Sequence, residues 1–219
     1  WGQVFGANIS QGNTSVSDGY KSNLYGLIFG ADKEVKDNLT LGASLSYANS
    51  TVKSRNALKH ININSYQLNG YSGYNFDKYF FNNLIGFAWN DYKTNRFIPI
   101  AASSASANYS GQTYIARSEI GFSEKLKSDI NVIPSFMITA AHNTVNNYSE
   151  LGAGTLDLHV QNKSTNFFET RAGVAFNKTI KISKYTAIPE IFSSYGYDLV
   201  GAKQRTSSNF IGQTSIFDS

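Results

Sequence analysis

The sequence contains no cysteine. This absence excludes a disulfide framework, cysteine zinc sites and thiol catalysis. Charged residues make up only 16% of the 219 residues, whereas about 25% is usual for soluble domains. No run of about 18 apolar residues occurs, which excludes a transmembrane helix but not the weaker, alternating signal of transmembrane strands. The chain starts abruptly at Trp1, in what already reads as a strand, and no signal peptide precedes it.

Motifs for nucleotide binding and hydrolysis are also missing from the sequence. There is no GxxxxGK[ST], GxGxxG, HExxH or GxSxG. The three histidines, His60, His142 and His159, fall in or beside predicted loops and lack the spacing of metal ligands. The net charge of +4 is too small to indicate a nucleic-acid partner. We therefore predict no catalytic residue, no cofactor, no metal site and no enzymatic activity.

Aromatic and small residues are abundant by contrast, and they alternate along the chain. In the stretch LTLGASLSYA, one side of the predicted strand carries Leu39, Leu41, Ala43, Leu45 and Tyr47. The other side carries only Thr40, Gly42, Ser44, Ser46 and Ala48. A period of two predicts a β-strand with two unlike faces, and neither face has the long charged side chains that a soluble sheet shows to water.

The same alternation recurs along the whole chain and predicts an all-β protein of nine or ten strands. The predicted strands are Trp1–Gly12, Gly19–Asp32, Leu39–Val52, Asn62–Phe76, Tyr79–Tyr92, Tyr109–Glu124, Ile130–His142, Thr165–Phe176 and Ala187–Leu199, with a tenth beginning near Asn209.

The connections between these strands alternate in length, which favours one architecture. Short turns are predicted at Lys33–Asn38, Asp77–Lys78, Lys125–Asp129 and Asn177–Thr186. Mostly longer connections are predicted at Asn13–Asp18, Lys53–Ile61, Lys93–Asn108, Asn143–Ser164 and Val200–Ser208. The Ala- and Ser-rich end of Lys93–Asn108 indicates a flexible external loop. A meander with alternating short and long turns is typical of an outer-membrane barrel, with short periplasmic turns and longer external loops.

The distribution of charge predicts which face of such a barrel touches lipid. Charged residues cluster in the short turns, and those in mid-strand share the parity of the polar face. We expect the charged residues of this face to line the lumen: Arg117, Glu119, Glu169, Arg171 and Glu190. We expect the apolar residues of the opposite face to contact lipid: Leu41, Leu45, Tyr47, Ile85, Phe87, Ile120 and Phe122. Trp1, Trp89 and many tyrosines near strand ends are expected to form interfacial girdles.

An ordered set of short motifs resembles the translocator β-domain of autotransporters, the type V secretion proteins. The matching pieces, in chain order, are Trp1, GLIFGAD with Gly26, Gly30 and Asp32, Leu41–Gly42 with Tyr47, YSGY at Tyr71–Tyr74, Arg96, Glu119–Gly121, Pro134, Tyr148 with Glu150 and Gly152, Gly173, and Pro189–Glu190. The asparagine-rich composition and the last segment look most like the rickettsial surface-antigen members of that family.

The resemblance implies a twelve-stranded transmembrane antiparallel barrel in the outer membrane of a Gram-negative bacterium. It implies that the barrel anchors and exports an N-terminal passenger domain, and that a linker helix threads the lumen and the barrel-assembly machinery inserts the barrel. By this comparison the single domain at residues 1–219 lacks the N-terminal helix and the last strands. Two alternatives stay open: a surface barrel whose external loops bind host ligands or form a pore, and a soluble lectin-like β module.

Overall fold

The computed structural model describes residues 1–13, 18–126, 129–182, 184–200, 207–213, 215 and 217–218. Its strands are β1 Gly2–Gln11, β2 Tyr20–Lys36, β3 Leu39–Ser54, β4 Lys59–Phe76, β5 Tyr79–Ile98, β6 Ser103–Phe122, β7 Glu124–Lys125, β8 Ile130–Val145, β9 Tyr148–Ser149, β10 Leu158–Val160, β11 Lys163–Lys178, β12 Ile180–Ile182, β13 Tyr185–Ala187, β14 Glu190–Asp198, β15 Ser207–Phe210 and β16 Phe217–Asp218. Two 3-10 turns, Pro99–Ala101 and Gly154–Leu156, complete the assigned elements. Within this described part, no helix has the length and apolar character needed to cross a membrane.

One curled antiparallel sheet contains most of the chain. Its strands follow the order β1-β2-β3-β4-β5-β6-β8-β11-β14, and the short β7 pairs with the start of β8. Every neighbour in this order is antiparallel, so the predicted all-β meander is confirmed.

Burial in this sheet is the reverse of what a soluble protein shows. The buried residues of the nine long strands are small or polar except for Ile98, and all lie on one face: Ser22, Ser44, Asn69, Ala88, Asn90, Thr94, Ile98, Ala105, Ala107, Gly111, Gly121, Thr139 and Ala175. We call this face the inner face and the opposite one the outer face. The outer face exposes large apolar side chains, with Leu45 64% and Ile85 69% exposed. A soluble lectin-like module would pack such residues inward, so that alternative is wrong.

The connections distinguish the two ends of the sheet. Two-residue turns join β2 to β3 at Asp37–Asn38 and β4 to β5 at Asp77–Lys78, where Asp77 takes a left-handed conformation with φ 51°. At the same end, the connection from β6 to β8 contains β7, and the connection from β11 to β14, predicted as a short turn, contains the hairpin β12–β13. At the other end, the connections from β3 to β4 and from β5 to β6 are short, and the one from β8 to β11 is long and contains β9, a 3-10 turn and β10. Short turns mark the periplasmic end of an outer-membrane barrel and longer loops mark the external end.

Several sequence predictions are wrong because the strands continue further at the external end. The segment Lys93–Asn108, predicted as a flexible loop, is occupied by β5 up to Ile98 and by β6 from Ser103. Its Ala and Ser residues alternate between faces, and Ala105 is fully buried, so they pack as strand residues. The connections predicted at Lys53–Ile61 and Asn143–Ser164 shorten in the same way.

Other predictions change in their pairing or their surroundings. The predicted tenth strand exists as β15 but pairs with β10 and β16 in a separate small sheet, not with β14. The three histidines lie within strands, His60 in β4, His142 in β8 and His159 in β10, and not in loops. Parts of four predicted connections, at 14–17, 127–128, 183 and 201–206, lie outside the described residues.

Candidate functional site

The inner face is built so that small side chains make room and polar side chains pair across strands. Ser44 and Asn69 are directly opposite each other, and the Asn69 amide donates to the Ser44 hydroxyl at 3.1 Å. A Cβ atom added at Gly42 would overlap the ring of Tyr71, and one added at Gly121 would overlap the ring of Phe80. Glycine at these positions therefore lets an aromatic side chain lie flat against the sheet.

A continuous hydrogen-bonded ladder of polar side chains crosses four strands of the inner face. The Ser65 hydroxyl donates to the Asn90 side-chain oxygen at 2.6 Å, and the Asn90 amide donates to the Thr113 hydroxyl at 2.9 Å. The Thr113 hydroxyl in turn donates to the Asn143 side-chain oxygen at 2.9 Å. Because each member satisfies its neighbour, the ladder fixes the relative positions of β4, β5, β6 and β8 while keeping the surface polar.

The strand register places all five predicted lumen charges on the inner face. Thr139 of β8 has Arg117 of β6 opposite it on one side and Glu169 of β11 opposite it on the other. Met137 of β8 likewise lies between Glu119 of β6 and Arg171 of β11. In strand order, each row thus runs from β6 through β8 to β11, with a base and an acid at its ends. We call Arg117, Glu119, Glu169 and Arg171 the charge belt.

Within the charge belt, one of the two predicted same-strand pairs forms. Arg171 donates to one oxygen of Glu169 from Nε at 2.9 Å and from its terminal nitrogen at 2.8 Å. Arg117 and Glu119 do not form an ion pair in the described part of the chain, and both line a cavity of about 430 Å³. Glu190 lies on the periplasmic side of the belt, at the start of β14, and accepts a hydrogen bond from the Asn177 amide at 3.2 Å.

A second cluster holds the periplasmic end of the inner face. The Trp1 indole nitrogen donates to the Asp32 carboxylate and to the Tyr71 hydroxyl, each at 2.8 Å. The Tyr71 hydroxyl also donates to Asp32 at 2.7 Å. These three groups join β2 and β4 to the residue that precedes β1, and the cavity beside the charge belt extends to Trp1 and Tyr71.

A third cluster at the external end folds the β8–β11 connection against the sheet. Glu150, whose side chain is only 4% exposed, forms an ion pair with Arg96 of β5 and accepts the Leu158 amide at 3.2 Å. Arg96 also donates to the Leu156 carbonyl at 3.0 Å. The backbone of Leu151 exchanges two hydrogen bonds of 2.9 Å with Ser106 of β6. The connection is therefore held against the sheet both by an ion pair and by backbone hydrogen bonds.

Three tyrosines stack beside this anchor. The Tyr109 ring lies between the rings of Tyr92 and Tyr148, with centroid distances of 4.9 and 3.9 Å and planes within 8° of parallel. Burial, and then the nearby Glu150 carboxylate, raise the pKa of Tyr148 above its ordinary value. Tyr148 is therefore a neutral hydroxyl at physiological pH and covers the inner face at its external mouth.

The residues predicted to contact lipid all share the outer face. The register places Leu41, Leu45 and Tyr47 of β3 on the outer face. It places Ile85 and Phe87 of β5, and Ile120 and Phe122 of β6, on the same face. On β4, Tyr74 and Tyr66 bracket Leu68 and are eight residues apart. Eight residues of strand extend about 27 Å, or about 20 Å along the membrane normal at a tilt of about 40°, so the two rings lie near the two borders of the roughly 25 Å apolar band of outer-membrane barrels. Contact of these residues with lipid stays a prediction.

Sequence reasoning selected the members of two of these clusters but not their contacts. Trp1, Asp32, Arg96 and Glu150 were noted as pieces of a family pattern, without a partner for any of them. Arg96 and Glu150 are 54 residues apart, and no local periodicity connects them. The sequence feature that could have suggested this contact is that the two residues carry opposite charges and lie toward the external ends of their strands. Within the described residues, no group of three or more acidic or histidine side chains could hold a metal ion.

Comparison with known proteins gives a consistent match over the whole chain. A family model described as "Autotransporter beta-domain" matches residues 1–218. The chain is 22% identical to outer membrane protein A of Rickettsia conorii and of Rickettsia rickettsii over 98% of its length, and spans about a tenth of those proteins. Two solved structures are similar in fold. The translocator domain of the Neisseria meningitidis autotransporter NalP has a TM-score of 0.77, 14% identity, and coverage of 97% of this chain and 75% of that one. The β domain of the Bordetella autotransporter BrkA has a TM-score of 0.70, 13% identity, and coverage of 95% and 89%.

Proposed function

Because this chain belongs to the autotransporter β-domain family, we propose that it is the translocator that anchors a passenger domain and carries it to the cell surface. It is a bacterial outer-membrane β-barrel domain, as its family and fold neighbours are. The proposal gives its own residues no catalytic step. The free energy for export would come from folding of the passenger outside the cell, since no nucleotide-binding motif occurs in the sequence.

The observation that carries the proposal is the contrast between the two faces of the sheet. The inner face presents short polar side chains, a satisfied hydrogen-bond ladder and the charge belt, which suit a wet path for a polypeptide. The outer face presents large exposed apolar side chains, which suit lipid. We infer that the charge belt lines this path and contacts the passenger or its linker helix.

The same proposal names the partners of the domain. Outer-membrane lipid covers the outer face. The passenger and a linker helix would occupy the lumen during export, and the barrel-assembly machinery would insert the strands. The path of the large sheet ends at β1 and at β14, and the unpaired backbone groups of such edge strands can pair with an insertion partner.

A double charge reversal tests the role of the charge belt. Glu119→Arg with Arg171→Glu keeps the net charge but leaves two arginines on β6 and two glutamates on β11. Neighbouring like charges then replace neighbouring opposite ones, and the lumen acquires a positive and a negative wall. We expect surface exposure of the passenger to slow several-fold in pulse-chase experiments, while heat-modifiable mobility of the barrel is retained.

The matched control is Glu124→Arg with Lys178→Glu. It also reverses one acid and one base without changing net charge, but both residues are exposed at the periplasmic end, outside the belt. Control and parent should export at the same rate. Equal export by the belt variant and the parent, with the barrel inserted in both, would sink the proposed role of the belt.

A second candidate function rests on the external end of β5 and β6. These two strands, of 20 residues each, form a hairpin, and at its tip Phe97 is 42% exposed and Ile100 is 93% exposed. An exposed apolar tip is a surface that can bind another molecule, so a host-ligand-binding role for the external loops is a distinct proposal. Replacing Ile100 with Ser should lower cell attachment without changing export, and unchanged attachment would contradict it.

A further inference from the structure

We propose that the external end of the outer face, from β2 to β5, is a binding site for the phosphate groups of a phosphorylated saccharolipid in the outer leaflet. The site is separate from the inner face and does not depend on the export proposal. Its members are the cations Lys21, Lys53, Arg55 and Lys93 together with the imidazole of His60, and we call them the basic patch.

The strand register brings the members of the basic patch together. Lys21 is directly opposite Lys53, and Lys53 is directly opposite His60, so the three side chains form one row across β2, β3 and β4. Lys93 of β5 follows one step away, opposite Asn62. Arg55 comes from the turn after β3, and its guanidinium donates to the carbonyl of Gln11 and the hydroxyl of Ser10 at 2.8 and 2.9 Å.

This arrangement has positive charges that face one another without an acidic partner. Like charges directly opposite on neighbouring strands destabilise a sheet. Among the described residues, neither Lys21 nor Lys53 makes an ion pair, and both side chains are exposed. The acids nearest in register, Asp18 and Asp91, form no ion pair with the lysines and accept hydrogen bonds from neutral groups, Asp18 from the Asn56 amide at 2.6 Å and Asp91 from the Trp89 indole at 3.1 Å. An anion between Lys21 and Lys53 would remove the repulsion.

The position of the patch relative to the apolar band identifies the source of that anion. Lys53 follows Tyr47 by six residues on the outer side of β3, about 20 Å along the strand before tilt. Tyr47, Tyr66 and Trp89 lie opposite one another on neighbouring strands and form the external aromatic row, at the level where the hydrocarbon ends. At a strand tilt of about 40°, Lys53 lies about 15 Å beyond that row along the membrane normal. Lysine side chains reach back toward the interface from such positions, so the ammonium groups of the patch extend toward the lipid headgroups of the outer leaflet.

The surface between the aromatic row and the basic patch favours a sugar-bearing headgroup. It is covered by amides and hydroxyls: Asn64 accepts from the Tyr47 hydroxyl at 2.9 Å and from the Asn49 amide at 2.8 Å, and Thr51 donates to Asn62 at 2.8 Å. Such groups can exchange hydrogen bonds with sugar hydroxyls. From the hydrocarbon outward, this face therefore offers the apolar band to acyl chains, the amides and hydroxyls to sugars, and the lysines to phosphates.

Native mass spectrometry of the full-length protein in detergent, titrated with bisphosphorylated lipid A, tests the site. Lys21→Gln with Lys53→Gln should weaken retention of lipid A about tenfold or more, since each lysine near an anionic surface contributes about a factor of five. Phosphatidylcholine, which has no net charge, should bind both proteins equally. Inorganic pyrophosphate separates the two sources of phosphate, because it should compete only weakly if the acyl chains and sugars contribute.

The matched control is Lys33→Gln with Lys36→Gln, which removes the same charge from the periplasmic end of β2 and should bind lipid A as the parent does. Thermal stability is a second measurement, because a folding defect would lower it, whereas loss of the repulsion raises it. The patch variant should be more heat-stable than the parent without lipid A, because the repulsion is gone, and should gain less stability when lipid A is added. Equal lipid A binding by patch variant and parent overturns the site, and complete competition by pyrophosphate overturns its assignment to lipid.

Discussion

The anchor of the β8–β11 connection allows a quantitative prediction for Glu150→Gln. The substitution keeps the shape of the side chain and removes its charge. A hydrogen bond to a charged group contributes about 1.5–3 kcal/mol, and breaking a fully buried ion pair costs about 3–5 kcal/mol. Arg96 is 24% exposed at its side chain and keeps the Leu156 carbonyl as an acceptor, so water and that carbonyl offset part of the loss. We expect the loop-closed state to lose about 2 kcal/mol.

Hydrogen exchange measured peptide by peptide tests this value. Local opening exposes amides in proportion to its equilibrium constant, and 2 kcal/mol corresponds to about a 30-fold larger open population. The amides of Glu150 and Leu151, which donate to the carbonyls of Leu158 and Ser106, should therefore exchange about 30-fold faster in the variant. Amides in the centre of β4 and β5 should keep their rates, because global unfolding is not involved.

Glu124→Gln is the matched control for this prediction. Glu124 also pairs with a cation, Lys78, at 2.7 Å, but the two side chains are 52% and 42% exposed. Exposed pairs contribute about 0–1 kcal/mol, so exchange around Glu124 should change by less than about fivefold. If Glu150→Gln accelerated exchange no more than Glu124→Gln does, the buried ion pair would not be what holds the connection closed, and the reasoning would be refuted.

Two further substitutions probe the inner face. Gly42→Val would force a side chain into the ring of Tyr71, and overpacking costs about 1–3 kcal/mol; the midpoint of heat-modifiable mobility should fall, and Tyr71→Ala in the same chain should restore most of it. Asn90→Ala would leave the Ser65 hydroxyl without its acceptor and remove one of the two partners of the Thr113 hydroxyl, at a cost of about 1–3 kcal/mol. Asn95→Ala on the exposed outer side of the same strand should leave unfolding unchanged, and equal effects of the two alanines would contradict the ladder.

The strands and their faces were predictable because apolar contrast repeats every second residue. Leu41, Leu45 and Ile85 alternate with small polar residues, so the parity of each strand, and hence the face of each charge, follows from sequence alone. The prediction of a loop at Lys93–Asn108 was wrong for the opposite reason. Alanine and serine differ little in hydrophobicity, so the alternation that buries Ala105 and Ala107 carries no signal until neighbouring strands are in place.

The clusters at the two ends of the inner face could not be predicted for a different reason. Trp1 and Tyr71 are 70 residues apart, and Arg96 and Glu150 are 54 apart. Contacts at such separations depend on the register of several intervening strands, and a shift of one residue in any strand would move a side chain to the other face. The resemblance to a family identified the residues, and only the assembled sheet pairs them.

The balance of the charge belt connects this architecture to the proposed path. Two arginines and two glutamates occupy β6 and β11 so that each strand carries one charge of each sign. A lumen with one dominant sign would hold an oppositely charged segment and repel a like-charged one, because low-dielectric walls focus the field of the lining charges. On the proposed path, opposite charges in equal number would keep the lumen wet and give it little net field, so that segments of either charge could pass. For this reason we expect the double reversal, which keeps the net charge and separates the signs onto two walls, to slow export, and we expect no effect from a change at an exposed turn.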